Sequence, residues 1–164
     1  MAISTTWNYT AAAATKQPTI PDVDFSTFSG DDGKSKKSDV WITNSTSPLD
    51  SPETVRYAIQ NIGNIYNGTD IQPAYFATSK AGRQLLIQLN DVLTATDSAD
   101  PTYRMDLPFS GHVVLKFPTN AVVTSSMLLA FYERLVSMAF ATGAVTDSRL
   151  EVMMRGTLKP SNLG

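Results

Sequence analysis

Residues 124–141, "TSSMLLAFYERLVSMAFA", carry the pattern on which the fold of this chain turns. Thr124 or Ser125 can cap a helix here, because a side-chain oxygen at that place accepts from the unpaired N–H groups of the first turn. Gly143 stands where such a helix would stop. Leu128, Phe131, Tyr132, Leu135, Met138 and Ala139 recur at helical spacing and make one apolar stripe. Leu129, Val136 and Phe140 widen it beyond the ~100° face that packing on one sheet requires. Ser126, Glu133, Arg134 and Ser137 form a narrow polar arc, so this helix has a second surface to bury. Thr146 or Asp147 then opens a shorter helix through "SRLEVMMR", with Gly156 as its stop and Pro160 beyond. The two helices are expected within 124–157.

Upstream of them the period changes to two. In "GHVVLKF", Val113, Leu115 and Phe117 oppose His112, Val114 and Lys116. In "AYFATSKAGRQLLIQLNDV" two strand-like runs meet at Lys80-Ala81-Gly82, and Leu85, Ile87 and Leu89 oppose Gln84, Leu86, Gln88 and Asn90. Residues 91–106, with "DSADP", are too polar for a strand and read as a long loop. The stretch "SPETVRYAIQNI" supports two readings: Val55, Ala58, Ile59 and Ile62 sit at helical spacing, whereas Val55, Tyr57 and Ile59 alternate. Farther upstream "VDFSTF" and "SDVWIT" flank "GDDGKSKK" (30–37) and form a hairpin over 21–43. The glycine pair with Lys-Ser is not a phosphate-cradling loop: two aspartates stand between the glycines, and a strand follows where a helix is needed. Residues 1–20 are polar and alanine-rich, an extended arm with little core of its own.

With 164 residues the chain fits one domain, and a net charge of −2 supplies no global field for nucleic acid. Only 17% of residues are charged, fewer than a solvated surface usually carries, which points to surface covered by partners. There are no cysteines, so disulfides, thiolate metal sites and thiol nucleophiles are excluded. The N-terminus lacks the pattern of a secretory leader, and no apolar run is long enough to span a membrane. The sequons at Asn8, Asn44 and Asn67 therefore read as coincidence. The single histidine, His112, has no partner at a metal or triad spacing, and no catalytic motif is present. Nothing calls for enzyme chemistry, a cofactor or a metal.

Strands, a long loop, one more strand and two C-terminal helices form a particular order. From "GRQLLIQLNDV" through "DP" and "GHVVLKFP" to "SSMLLAFYERLVSMAFATGAVTDSRLEVMMRGTLKP", roughly residues 72–160, the chain resembles the coat proteins of the single-stranded RNA bacteriophages, the leviviruses. The resemblance implies an α+β fold: an N-terminal β-hairpin and a five-stranded antiparallel sheet over 52–118, followed by the two helices. It makes "TVRYAIQ" a strand and "GDDGKSKK" an exposed hairpin tip. In that family two subunits join sheets edge to edge and each subunit's helices cross over the partner's. The dimer positions implied here are Leu129, Tyr132, Val136 and Phe140. The implied partners are a second copy of the chain and viral genomic RNA in an icosahedral virion, assembled in the host cytoplasm. The other implied role is a translational repressor that binds an RNA hairpin as a free dimer. The strand alternation then turns Gln84, Gln88, Asn90, Ser110, His112 and Lys116 toward the RNA, joined by Arg56 and Tyr75. The chain is longer than usual for the family before Pro18 and from Asn44 to Asp70. Ser110 stands where several relatives carry an RNA-stacking tyrosine.

Overall fold

The computed structural model describes residues 3–11, 20–30, 33, 35–140 and 149–156. The chain divides into two compact units: residues 23–125, and residues 1–22 with 126–164.

The first unit is one antiparallel sheet of five strands in sequence order: β1 (Phe28–Gly30), β2 (Asp39–Asn44), β3 (Thr54–Ile62), β4 (Gly82–Thr96) and β5 (Arg104–Pro118). The hairpin is not a separate element before the sheet, since its strands are the first two of the five. Its first strand is short. Phe25–Thr27 wind into a 3-10 turn capped by the Asp24 carboxylate, which accepts from the Ser26 N–H at 2.9 Å. The ambiguous stretch is a strand because it gains two neighbours: Tyr57 stands opposite Val40 and Ile87, and Ile59 opposite Leu85. This register gathers Val40, Val55, Tyr57, Ile59, Leu85, Ile87, Leu89, Val113 and Leu115 on one face. Among the described residues only Val55 and Leu115 are buried hydrophobics, while Ile59 remains 49% and Leu89 46% exposed. The apolar face is far from sealed.

Two segments fold differently from the sequence expectation. The run "AYFATS" is not a strand: Pro73 lacks an N–H for a ladder, and Pro73–Tyr75 form a 3-10 turn. The connection it belongs to is closed by the Ile65 N–H donating to the Lys80 carbonyl at 2.8 Å and by Tyr66 stacked on Phe76 at 4.0 Å. Ile65 also presses on Gly82, where an added Cβ would lie 2.9 Å from the Ile65 Cδ1 and 2.9 Å from the Phe117 carbonyl oxygen. Gly82→Val should therefore cost on the order of 1–3 kcal/mol by overpacking, because the strand backbone cannot yield. A lowered denaturant midpoint checks it; an unchanged midpoint refutes it.

The expected long loop is largely paired. Residues 91–96 pair with 104–109, so β4 and β5 each run 15 residues and only 97–103 form the turn. Polar side chains are tolerated because this part of the hairpin extends past the end of β3, whose last partner on β4 is Asn90. The tip is held by aspartates. Asp97 accepts from the Ala99 N–H at 2.8 Å, and Asp100 accepts from the Thr102 N–H and hydroxyl at 3.0 and 2.6 Å. Asp106 accepts from Thr94 and pairs with Arg104. The Thr102 bonds hold the Asp100 pKa below its ordinary value, and the Arg104 and Thr94 bonds do the same for Asp106. A carboxyl with a depressed native pKa stabilises above its unfolded value and loses that contribution as pH falls through the native one. Protection of the Thr102 amide, taken relative to its intrinsic exchange rate at each pH, should thus fall below about pH 4. Asp100→Asn, which keeps an acceptor oxygen, should remove its share of that pH dependence. Protection that stays constant through that range in the unmodified chain would refute this.

The second unit contains α1 (Ser125–Ser137), α2 (Arg149–Met154) and the N-terminal arm. α1 ends before the expected Ala141: Met138, Ala139 and Phe140 donate to carbonyls three residues back, at 3.1 Å each, the tighter winding common at helix ends. Arg149 ties this end to α2. Its backbone N–H donates to the Ala139 carbonyl at 2.8 Å, and its guanidinium donates to the Met138 and Phe140 carbonyls. Gly156, at φ +72°, ends α2 where the sequence placed its stop, in the left-handed region that glycine enters without Cβ strain. Gly143, Thr146, Asp147 and Pro160 lie outside the described residues. The arm does have a packing partner: Trp7 meets Phe131 at 5.9 Å, and the Arg134 guanidinium lies over Trp7 and Tyr9 at 5.1 and 4.4 Å.

Candidate nucleic-acid interface

Residues paired across antiparallel strands point to the same side of the sheet, so the register builds the polar face row by row. Thr54, Asn90 and Ser110 make one row; Gln60, Gln84 and Lys116 make another. Between them run Trp41, Arg56, Gln88 and His112, and next to these Asp39, Ala58, Leu86 and Val114. Arg56, Gln84, Gln88, Asn90, Ser110, His112 and Lys116 thus share one face. Tyr75 does not join them: it sits on the 3-10 turn before β4, 77% exposed.

Ser110, His112 and Lys116, on the edge strand β5, are exposed, while Arg56, Gln84, Gln88 and Asn90 on inner strands are half-buried. The Asn90 amide donates to the Thr54 hydroxyl at 3.3 Å. The Gln88 amide nitrogen is 3.5 Å from the Asn90 side-chain oxygen, a weak contact that leaves it capacity for another partner.

Arg56 shares the polar face as expected, but its Nε and Nη2 donate to the two Asp39 carboxylate oxygens at 2.9 and 2.8 Å. Its guanidinium also lies 4.9 Å from the centre of the Trp41 ring. The Arg56 bonds hold the Asp39 pKa below its usual value, and the Asp39 bond raises that of Arg56. Both charges cancel locally, leaving Lys116 as the positive charge of these four rows. Asp39 and Trp41 were missed because only the β2–β3 register reveals them, although the alternation of "SDVWIT" put both on one side of a strand.

On α1, Leu129 is 56% exposed and Tyr132 and Val136 are half-buried. At 100° per residue, positions 129 and 136 lie about opposite Phe131 and Arg134, the side that carries the arm. Phe140 falls beyond the helix, in the turn whose carbonyl accepts from Arg149. Among the described residues no group of three or more His, Cys, Asp or Glu side chains could hold a metal ion.

No family model matches the sequence, and neither does any curated protein. Solved structures do. The chain is similar to the subunit of the virus-like particle of bacteriophage AVE015 at TM-score 0.87 and 26% identity, covering 98% of both chains. It is similar in fold to that of bacteriophage GQ-112 at TM-score 0.76 and 15% identity, covering 98% of this chain and 100% of that one. The five-stranded sheet followed by C-terminal helices is the phage coat protein fold.

Proposed function

We propose that the chain is the structural coat protein of a single-stranded RNA bacteriophage of the levivirus type, and no catalytic step is assigned to it. It dimerises, closes into an icosahedral shell in the host cytoplasm, and packages genomic RNA against the polar face of its sheet. The observation that carries this reading is the end-to-end likeness to a virus-like particle subunit. The half-exposed apolar face of the sheet and the exposed Leu129 support a second copy as the cover. The amides of Gln84, Gln88 and Asn90, with Ser110, His112 and Lys116, support RNA as the ligand of the opposite face, since such groups bond bases and phosphates. Electron microscopy of the purified recombinant protein tests the reading. Closed shells with nuclease-protected RNA are expected; a dispersed monomer, or shells without RNA, would overturn all or part of it.

A further inference from the structure

We infer that residues 3–11 are a clasp that closes one side of α1, so that the helix keeps a single apolar side for a second copy of the chain. This rests on the reading of Leu129 and Val136 as partner-facing.

The clasp is centred on a cation. The Arg134 guanidinium lies 5.1 Å from the centre of the Trp7 ring, 4.4 Å from that of Tyr9 and 5.2 Å from that of Phe131. All three distances fall within the roughly 6 Å over which an aromatic ring attracts a cation. Among the described residues no carboxylate pairs with Arg134, so the rings stand in for a counter-ion. Two of those rings belong to the arm and one to the helix, and the cation therefore joins the two elements. Trp7 and Phe131 also meet directly, with ring centres 5.9 Å apart.

The covered side is apolar. Phe131 and Arg134 are neighbours on it, and Met127 stands one turn before Phe131. With the arm in place all three are half-buried. Without the arm, this side would form a second apolar surface, about opposite Leu129 and Val136. Two apolar surfaces on opposite sides of one helix permit contacts that do not close, and such contacts build open chains of subunits instead of shells. The arm removes that option within its own chain. Trp7 and Tyr9 stay 49% and 53% exposed, so the clasp can open without unfolding the rest of the protein.

The test reads Trp7 alone in a Trp41→Phe background, since the chain has two tryptophans. In dissociated dimers Trp7 should be shielded from acrylamide quenching. Arg134→Gln should lower the ratio of docked to free arm by at least about twofold, the loss of one exposed cation–π contact, and quenching should rise. With Trp41 restored, deletion of residues 3–11 should shift the protein from closed shells to aggregate, and Arg134→Gln should shift it less in the same direction. A synthetic peptide of residues 3–11 at millimolar concentration, comparable to that of a tethered segment, should return shells to the deleted chain. An unchanged shell yield after the deletion overturns the inference, as does a peptide that restores nothing. So does a Trp7 that becomes shielded only when shells close, which would place the arm on a neighbouring subunit while leaving Leu129 and Val136 partner-facing. Normal shells from Val136→Asp would instead overturn the partner-facing reading, and the clasp's purpose with it, even where Trp7 is docked as expected.

Discussion

Aspartate at Leu129 or Val136 should abolish assembled protein. The described residues give this chain very little interior: two buried hydrophobic side chains, and a sheet face on which Tyr57, Ile59, Ile87 and Leu89 are all more than a third exposed. Each such side chain, once covered, contributes about 1.5–3 kcal/mol, and folded domains are stable by only about 5–15 kcal/mol in total. A few of these contacts would decide whether the chain is folded at all, so in the proposed dimer stability should be inseparable from association. Leu129 and Val136 lie on the side of α1 opposite the arm, where a partner has access. A carboxylate there would be desolvated without a counter-ion, at an effective cost of several kcal/mol per subunit. Sedimentation and electron microscopy should find aggregate or unfolded chain and no shells. Charging the polar, exposed Glu133 in the opposite sense, Glu133→Lys, should spare assembly. Normal shells from Val136→Asp would refute the dimer-facing assignment.

How much of this was legible in the sequence depends on how local the cause is. The faces of β4 and β5 follow from alternation over many residues, and the register simply brings the two polar sets together. Gly156 is legible because a glycine after a helical run has one common use there. The strand Thr54–Ile62 is not legible from its own residues, since both periods fit; the neighbours β2 and β4 decide it, and the family resemblance supplied that information. The run 91–106 was misread because polarity was taken to exclude pairing. A hairpin that extends past its sheet can pair its backbone with itself and leave Thr94, Thr96, Arg104 and Asp106 in solvent. The partners of Arg56 and Arg134 were invisible for a different reason. Asp39 lies 17 residues from Arg56, and Trp7 and Tyr9 lie at the other end of the chain from Arg134. No spacing rule links such positions; only the folded register and packing do.

That pairing sharpens what RNA packaging should depend on. Within the four polar rows, Asp39 and Arg56 cancel, so the positive charge each subunit offers there is that of Lys116. Lys116→Glu turns a net +1 into −1 at the same position, repeated in every subunit of the shell. Lys116 is exposed and faces Gln84 across the ladder, so the substitution removes no buried group, and its effect on folding should stay within about 0.5 kcal/mol. The effect on RNA is another matter. A single contact contributes modestly, but contacts repeated around a closed shell act together, because each bound segment raises the effective concentration of the next. Dimers and shells should therefore form, with nuclease-protected RNA reduced by more than half, read from the ultraviolet absorbance ratio of purified particles. Arg56→Glu is the wrong companion for this test, since it would set two carboxylates against each other and disturb β2 and β3. Unchanged RNA content in well-formed Lys116→Glu shells would mean that RNA meets this protein on some other surface.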